Sequence, residues 1–407
     1  MSEQGSPPPS LYQLLDPEVL ADPYPLYRQL REEDPVHWDP YLHAWVVTRY
    51  ADVVDVLHRF SADRTPTPER LADLGLGEIT PIAAVMVQQM LFLDPPKHGR
   101  VRRLASVAFT PRRISVLREH IGQIAATLID ELVGSGGFEV MEAFANPLPA
   151  IVTAEMLGVP TSDHELLKSW SQDFAEMLGN FQHNPGRVKK TLRSVEEMVA
   201  YFHEAVVGEA SHPTEGLINA LSTAEVDGDR LTEEEVVANV IVTMVGGQET
   251  TTNLIGNGLL TLLRRPDQLD RLRADPTLVA SAVEELLRYE SPSQQTARLA
   301  PPGAVLGGTE IAEGDAVIAV MGAANRDPER FEDPDRLDIG REDNRHLAFG
   351  WAAHFCFGAP LARMEGQIAF AALLAAFKEI ALAPGREISW RPNLGLRGLT
   401  ELHVLAS

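Results

Sequence analysis

The chain has 407 residues, of which 44% are hydrophobic and 23% charged, a balance that suits a protein folded around a large buried core. With 35 Lys and Arg against 58 Asp and Glu, the formal net charge is −23, which argues against nucleic acid or an anionic membrane surface as the main partner. A single cysteine excludes an intramolecular disulfide, the opening MSEQGSPPPSLYQLL lacks the pattern of a secretory leader, and no uncharged apolar run could span a bilayer, so a reduced, cytoplasmic setting is expected. Residues 1–10, with prolines at 7–9, read as a disordered tail ahead of one domain over 11–407. Short apolar helices are predicted around 24–33 and 50–59, and the run Trp45-Val46-Val47-Thr48 between them reads as a strand. Residues 61–93 look irregular, broken by Pro66, Pro68 and Pro81, yet apolar enough to line a pocket.

From 97 to 290 the pattern is mainly helical. Apolar residues recur at three- and four-residue spacing over 113–133, 144–157, 164–178, 188–209, 232–264 and 277–290. The segment 232–264 is long and apolar on most faces, as for a helix through the middle of a core, and Thr232 with Glu235 spells a capping box at its start. After 290 the stretches TARLA, AVLGGTEIAEGDAVIAV and LRGLTELHVLA read as short strands and hairpins. The expected fold class is mainly α with a small β portion.

The sole cysteine, Cys356, sits in HLAFGWAAHFCFGAPLAR, just ahead of a helix-like run. A lone cysteine often fills space. Here the N–H groups and positive end of the following helix would favour a thiolate, and Gly350 and Gly358 would allow tight turns and close approach of another group. One thiolate cannot hold zinc or an iron–sulfur cluster alone, whereas haem iron needs only one protein ligand. FGWAAHFCFG resembles the cysteine signature of the cytochrome P450 family at Phe349, His354, Cys356 and Gly358, and departs from it at Ala352, where the family has glycine.

Four further segments carry the resemblance, in the family's order and across nearly the full chain. GGQETTT, residues 246–252, lies inside the long helix, where each glycine costs roughly 1 kcal/mol relative to alanine. Read alone it marks a close helix crossing or a local opening of the hydrogen-bond ladder beside a ligand. It resembles the family's oxygen-activation motif, which implies that Gly246 and Gly247 make room for dioxygen, that Thr250 donates a hydrogen bond there, and that Glu249 relays protons from solvent. EELLR resembles the Glu-x-x-Arg motif at Glu285 and Arg288, with Arg336 of DPDRLD as the third, structural member. DPPKHGRVRRL places His98 and Arg102 one turn apart on a helix, and the resemblance implies that they bind the haem propionates together with Arg298 and His354.

The implied protein is a haem-thiolate monooxygenase of the soluble bacterial type, with haem b as cofactor and Cys356 as the metal ligand. No flavin or nicotinamide domain is visible, so electrons are expected from a ferredoxin and its reductase, docking on a basic face of a monomer formed by Arg103, Arg112, Arg113 and Arg363. The family's pocket segments supply Met86, Val87, Gln88, Gln89, Leu91, Phe92, Val242, Thr243, Ser293, Gln294 and Leu396, a mostly apolar lining suited to a polyketide- or terpenoid-like natural product of secondary metabolism, as in antibiotic biosynthesis. The rival readings are a haem-thiolate peroxygenase or other non-monooxygenase catalyst, against which Glu249 and Thr250 speak, and a haem-based sensor, for which no output module is visible.

Overall fold

The computed structural model describes residues 9–73, 75–179, 185–211 and 216–407. The first eight residues of the expected tail lie outside these. Ser10 is buried and donates its hydroxyl to Asp39 at 2.7 Å, so residue 10 packs with the domain and not with a tail.

The helix Glu233–Leu263 organises the molecule. Thr232 caps it through the expected box: its hydroxyl accepts from the Glu235 N–H, and the Glu235 carboxylate accepts from the Thr232 N–H. Three glutamates in its first turn suit the positive end of the helix dipole. The helix is apolar all round because it serves two cores. Val240, Ile241 and Met244 pack with Phe174 and Trp170 of the helix His164–Gly179 and with Phe202 of Pro185–Ser211. Leu254, Ile255 and Leu259 pack with Leu286 of Val279–Tyr289 and Phe370 of Ala359–Ala376. The helices Tyr24–Glu33, Tyr50–Arg59, Pro111–Asp130 and Pro147–Leu157 follow the apolar periodicity closely.

Residues 61–93 are less irregular than the sequence suggests, since the helices Pro68–Asp73 and Thr80–Met86 lie within them. Pro68 and Pro81 fall in the first turns of these helices, where a missing N–H costs nothing. Pro266 likewise opens a helix, Pro266–Ala274, that periodicity did not separate from its neighbours.

The small β portion is split. A four-stranded sheet runs in the order Val36–Asp39, Ala44–Val47, Ala316–Ala319, Thr296–Leu299, with Val46 in parallel register opposite Ile318 and the other pairs antiparallel. Ile380–Leu382, His403–Ala406 and Gly137–Glu139 form a three-stranded sheet. Among the described residues no helix is long and apolar enough to cross a membrane.

A buried ion cluster fixes the segment that leads into the cysteine loop. Arg288 and Glu285, both fully buried, pair in bidentate fashion at 2.8 Å. The third side chain on Glu285 is Arg341, with its Nε 3.1 Å from Glu285 Oε2, and not Arg336 as the sequence implied. The Arg336 side chain is exposed, and only its backbone carbonyl takes part, accepting from Arg288 at 3.2 Å. A turn closed by the Arg341 N–H on the Asp338 carbonyl at 3.0 Å, with the Arg341 guanidinium also donating to the Glu332 carbonyl, holds the later arginine at Glu285.

Candidate active site

The cysteine loop is a chain of tight turns. Asn325 accepts from the Leu347 N–H at 2.6 Å, Gly350 turns in the left-handed region at φ 70°, and the Cys356 N–H closes on the Phe349 carbonyl at 2.7 Å. Ala352 also takes a left-handed conformation, at φ 55°, which explains the family's glycine there: an L-residue with a Cβ is strained in that region. Cys356 is half-buried, just ahead of the helix Ala359–Ala376. Burial pushes its thiol up, against the pull of the Gly358 and Ala359 N–H groups and of Arg102. The helix start therefore does not ionise the thiol by itself, and the positive charge of a metal ion is what would favour the thiolate.

Between this loop and the Glu233–Leu263 helix lies a cavity of about 340 Å³. Cys356, Phe349, Gly358 and His354 line it from the loop, and Gly246, Gly247, Glu249 and Thr250 from the helix. Helical structure continues unbroken through GGQETTT, so the expected opening of the ladder is absent. The two glycines differ. A Cβ at Gly246 would meet open space, whereas one at Gly247 would come 3.1 Å from the Thr153 hydroxyl, so Gly247 serves a helix crossing. The Thr250 hydroxyl donates to the Gly246 carbonyl at 2.7 Å. Glu249 is ion-paired at 2.8 Å with Arg391, which also donates to Asn253.

Arg102, Arg298 and His354 line one side, with His98 against the outer face of His354 and Arg64 near Arg298. Arg102 reaches the Phe355 carbonyl at 2.7 Å, and the His98 and His354 rings lie 4.1 Å apart. His98 Nε2 and Arg298 Nε are buried without any acceptor. Burial and the neighbouring Arg298 pull Arg64 down to about 9, and burial pulls Arg298 to about 10 and, with His98 and Arg298 adding to it, His354 to about 3. Donors short of acceptors and cations short of counter-charge call for a ligand with carboxylates. With one sulfur in the same cavity, these residues fit an iron porphyrin carrying two propionates.

Five of the expected pocket residues lie in the lining: Leu91, Val242, Thr243, Ser293 and Leu396. The others point elsewhere. Met86 packs into the neighbouring core, Val87 is exposed, and Gln88 offers its carbonyl to Asn239. Gln89 is fully buried with no partner on either polar atom, and Phe92 is buried under the Arg64 guanidinium. Gln294 donates to the Ser291 carbonyl and packs on Gly322. His98 lies behind His354, outside the lining. Arg363 drops out of the expected basic face because Glu284 binds it in bidentate fashion at 2.7 Å, while Arg103, Arg112 and Arg113 are exposed.

Sequence reasoning missed Met90, Arg391 and Glu365. Glu365 lines the cavity, is buried, and keeps Oε2 without a partner, so burial raises its carboxyl well above the usual range. A lone acid in the apolar run ARMEGQIAFAALL was the available signal.

A family model described as Cytochrome P450 matches residues 80–390. The cytochrome P450 monooxygenase PikC of Streptomyces venezuelae is 40% identical over 419 residues, spanning 99% of this chain and 96% of that protein. The polyketide biosynthesis cytochrome P450 PksS of Bacillus subtilis (strain 168) is 37% identical over 402 residues, spanning 96% and 97%. Among solved structures, P450BioI in complex with hexadec-9Z-enoic acid ligated acyl carrier protein superposes with a TM-score of 0.90 at 38% identity, covering 96% of this chain and 99% of that one.

Proposed function

This chain belongs to the cytochrome P450 family as a haem b-dependent monooxygenase, and from that premise we propose that Cys356 is its iron ligand and that the cavity above it takes a polyketide-like or long-chain acyl natural product. The observation that carries the assignment is the coincidence, in one apolar cavity, of the chain's only thiol with Arg102, Arg298 and His354, where Arg298 Nε, and His98 Nε2 just behind, are buried without a partner. Haem iron, when bound, supplies activation of dioxygen, so that one oxygen atom enters the substrate and the other leaves as water at the cost of two electrons and two protons.

The protein's own residues do the rest. Arg102, Arg298, His98 and His354 hold the propionates, and their charge and hydrogen-bond demand is met by the two carboxylates. The Gly358 and Ala359 N–H groups face the Cys356 sulfur and spread its negative charge. Gly246 leaves open space in the cavity wall. Thr250 holds a proton on the Gly246 carbonyl, and rotation of its hydroxyl turns that proton toward the cavity. Glu249 touches the cavity on one side and Arg391, a quarter exposed, on the other, a path by which protons from solvent resupply Thr250. Val242, Leu91, Met90 and Leu396 exclude water and bind apolar substrate surface, with Thr243 and Ser293 to orient a polar group. The names of PksS and of the acyl-chain-loaded P450BioI complex support this substrate class. Electrons come from a ferredoxin and its reductase, with Arg103, Arg112 and Arg113 as the docking charges.

Haem-loaded protein, reduced with dithionite and exposed to carbon monoxide, should absorb at the long-wavelength position of a thiolate ligand, and Cys356→Ser should lose that band together with oxygenation. A wild-type band without thiolate character, or one that survives in Cys356→Ser, refutes the ligand assignment. Turnover with NADH and a surrogate ferredoxin, compared with hydrogen peroxide alone, tests the electron route.

A further inference from the structure

Asn239 lies on the Glu233–Leu263 helix one turn before Val242 and Thr243 and is fully buried. Its side chain reaches across to the backbone of residues 88–90. Oδ1 accepts from the Met90 N–H at 2.9 Å, and Nδ2 donates to the Gln88 carbonyl at 3.0 Å and to the Glu235 carbonyl of its own helix at 2.7 Å. The carboxamide thus pairs with this segment as a neighbouring strand would, at the point where the chain enters the wall formed by Met90 and Leu91. Thr243, another lining residue, donates its hydroxyl to the Asn239 carbonyl at 2.7 Å. Between the two clamped backbone groups sits Gln89, fully buried, with neither its Nε2 nor its Oε1 partnered.

These are opposing terms of similar size. Two hydrogen bonds from a dry amide, itself oriented by a third to its own helix, hold the segment against the helix, and burying a second amide with no partner pushes it away. We propose that Asn239 is a positioning residue that sets the wall of the substrate cavity, and that the unpartnered Gln89 keeps this wall releasable, so that the pair governs which bulky apolar ligands enter and how fast. Met90 and Leu91 stay fixed relative to Val242 and Thr243 only while the Asn239 amide is engaged. Release of the amide frees the Met90 N–H and lets the Gln89 side chain find water. The inference rests on reading the cavity as the substrate site.

The test uses the full haem-loaded chain and the variants Asn239→Ala, Asn239→Asp and Gln89→Leu. Hydrogen–deuterium exchange reads the Met90 amide, and stopped-flow absorbance reads entry of 4-phenylimidazole and of the smaller imidazole. In Asn239→Ala, Met90 exchange should rise about tenfold, the weight of one net hydrogen bond, and 4-phenylimidazole should enter several-fold faster while imidazole changes little. Asn239→Asp retains an oxygen that accepts from the Met90 N–H and should return exchange toward wild type. Gln89→Leu removes the orphaned amide at similar volume and should slow both exchange and entry. Unchanged Met90 exchange in Asn239→Ala, or faster entry in Gln89→Leu, overturns the proposal while leaving the haem site intact. Should Asn239→Ala fail to take up haem, Gln89→Leu decides alone: slower 4-phenylimidazole entry supports the device, and equal or faster entry refutes it. A wild type in which neither imidazole shifts the haem spectrum overturns both this inference and the reading of the cavity beneath it.

Discussion

Replacing Arg341 by alanine should destabilise the protein far more than replacing Arg336, although the sequence pattern singles out Arg336. Glu285 has no exposure, and five donors converge on it: two from Arg288, the Asp338 N–H, Arg341 Nε and Asn344 Nδ2. Arg341 also donates to the Glu332 carbonyl at 2.8 Å. Its loss leaves Glu285 paired with Arg288, so the cost is that of charge-assisted hydrogen bonds and not of a bare buried charge, about 2–3 kcal/mol. With an unfolding entropy of roughly 2 cal/mol/K per residue, a chain of this length should melt about 3 °C lower. Arg336→Ala removes only an exposed side chain and should stay within about 0.5 kcal/mol of wild type. Urea unfolding of the haem-loaded proteins, followed by the haem absorption band and by far-ultraviolet circular dichroism, separates the two. Equal losses, or a larger one in Arg336→Ala, would show that the cluster is not organised around Arg341.

Ala352→Gly relieves a left-handed alanine, a gain of about 1–2 kcal/mol, offset by about 0.4–1 kcal/mol of added freedom in the unfolded chain. A small rise in urea midpoint with an unaltered carbon monoxide spectrum is expected, and a fall would contradict the strain argument. Thr250→Ala should lower product formed per reductant consumed by about tenfold or more while haem binding is kept, and coupling at the wild-type level would remove Thr250 from proton delivery. Burial alone would raise the Glu284 carboxyl, but hydrogen bonds from His346 and Arg363 prevail and hold it at about 2. A folded-state value below the unfolded one means that this contribution is full above the carboxyl's ordinary value of 4.5 and is lost as pH falls through about 2. Stability of the wild type should therefore drop more steeply below pH 4.5 than that of Glu284→Gln, and parallel curves would refute it.

Local features of this fold were legible in the sequence, and features created by distant register were not. The capping box at Thr232, the helix limits near 24–33 and 50–59, and the Gly307-Gly308 turn, with both glycines at positive φ, depend on neighbours a few residues apart. The cysteine loop was recognisable because its turns need fixed spacing. Asn239 reaching Met90, Arg391 reaching Glu249 and Arg341 replacing Arg336 depend on how segments dozens or more residues apart settle against one another, and no spacing along the chain encodes that. Gln294 illustrates the reverse error: its neighbour Ser293 faces the cavity, and alternation along extended backbone turns Gln294 toward Gly322.

The parallel pairing of Val46 with Ile318 bears on how the molecule is made. During translation the amino-terminal hairpin emerges early, yet its partner strand is still unsynthesised for some 270 codons, and Arg397, which grips the Leu20 and Ala21 carbonyls, comes later still. The hairpin of residues 36–47 cannot complete its sheet until the strand Ala316–Ala319 has been made. Prematurely terminated products would thus lack a completed sheet, which makes them ready targets for chaperones and proteases.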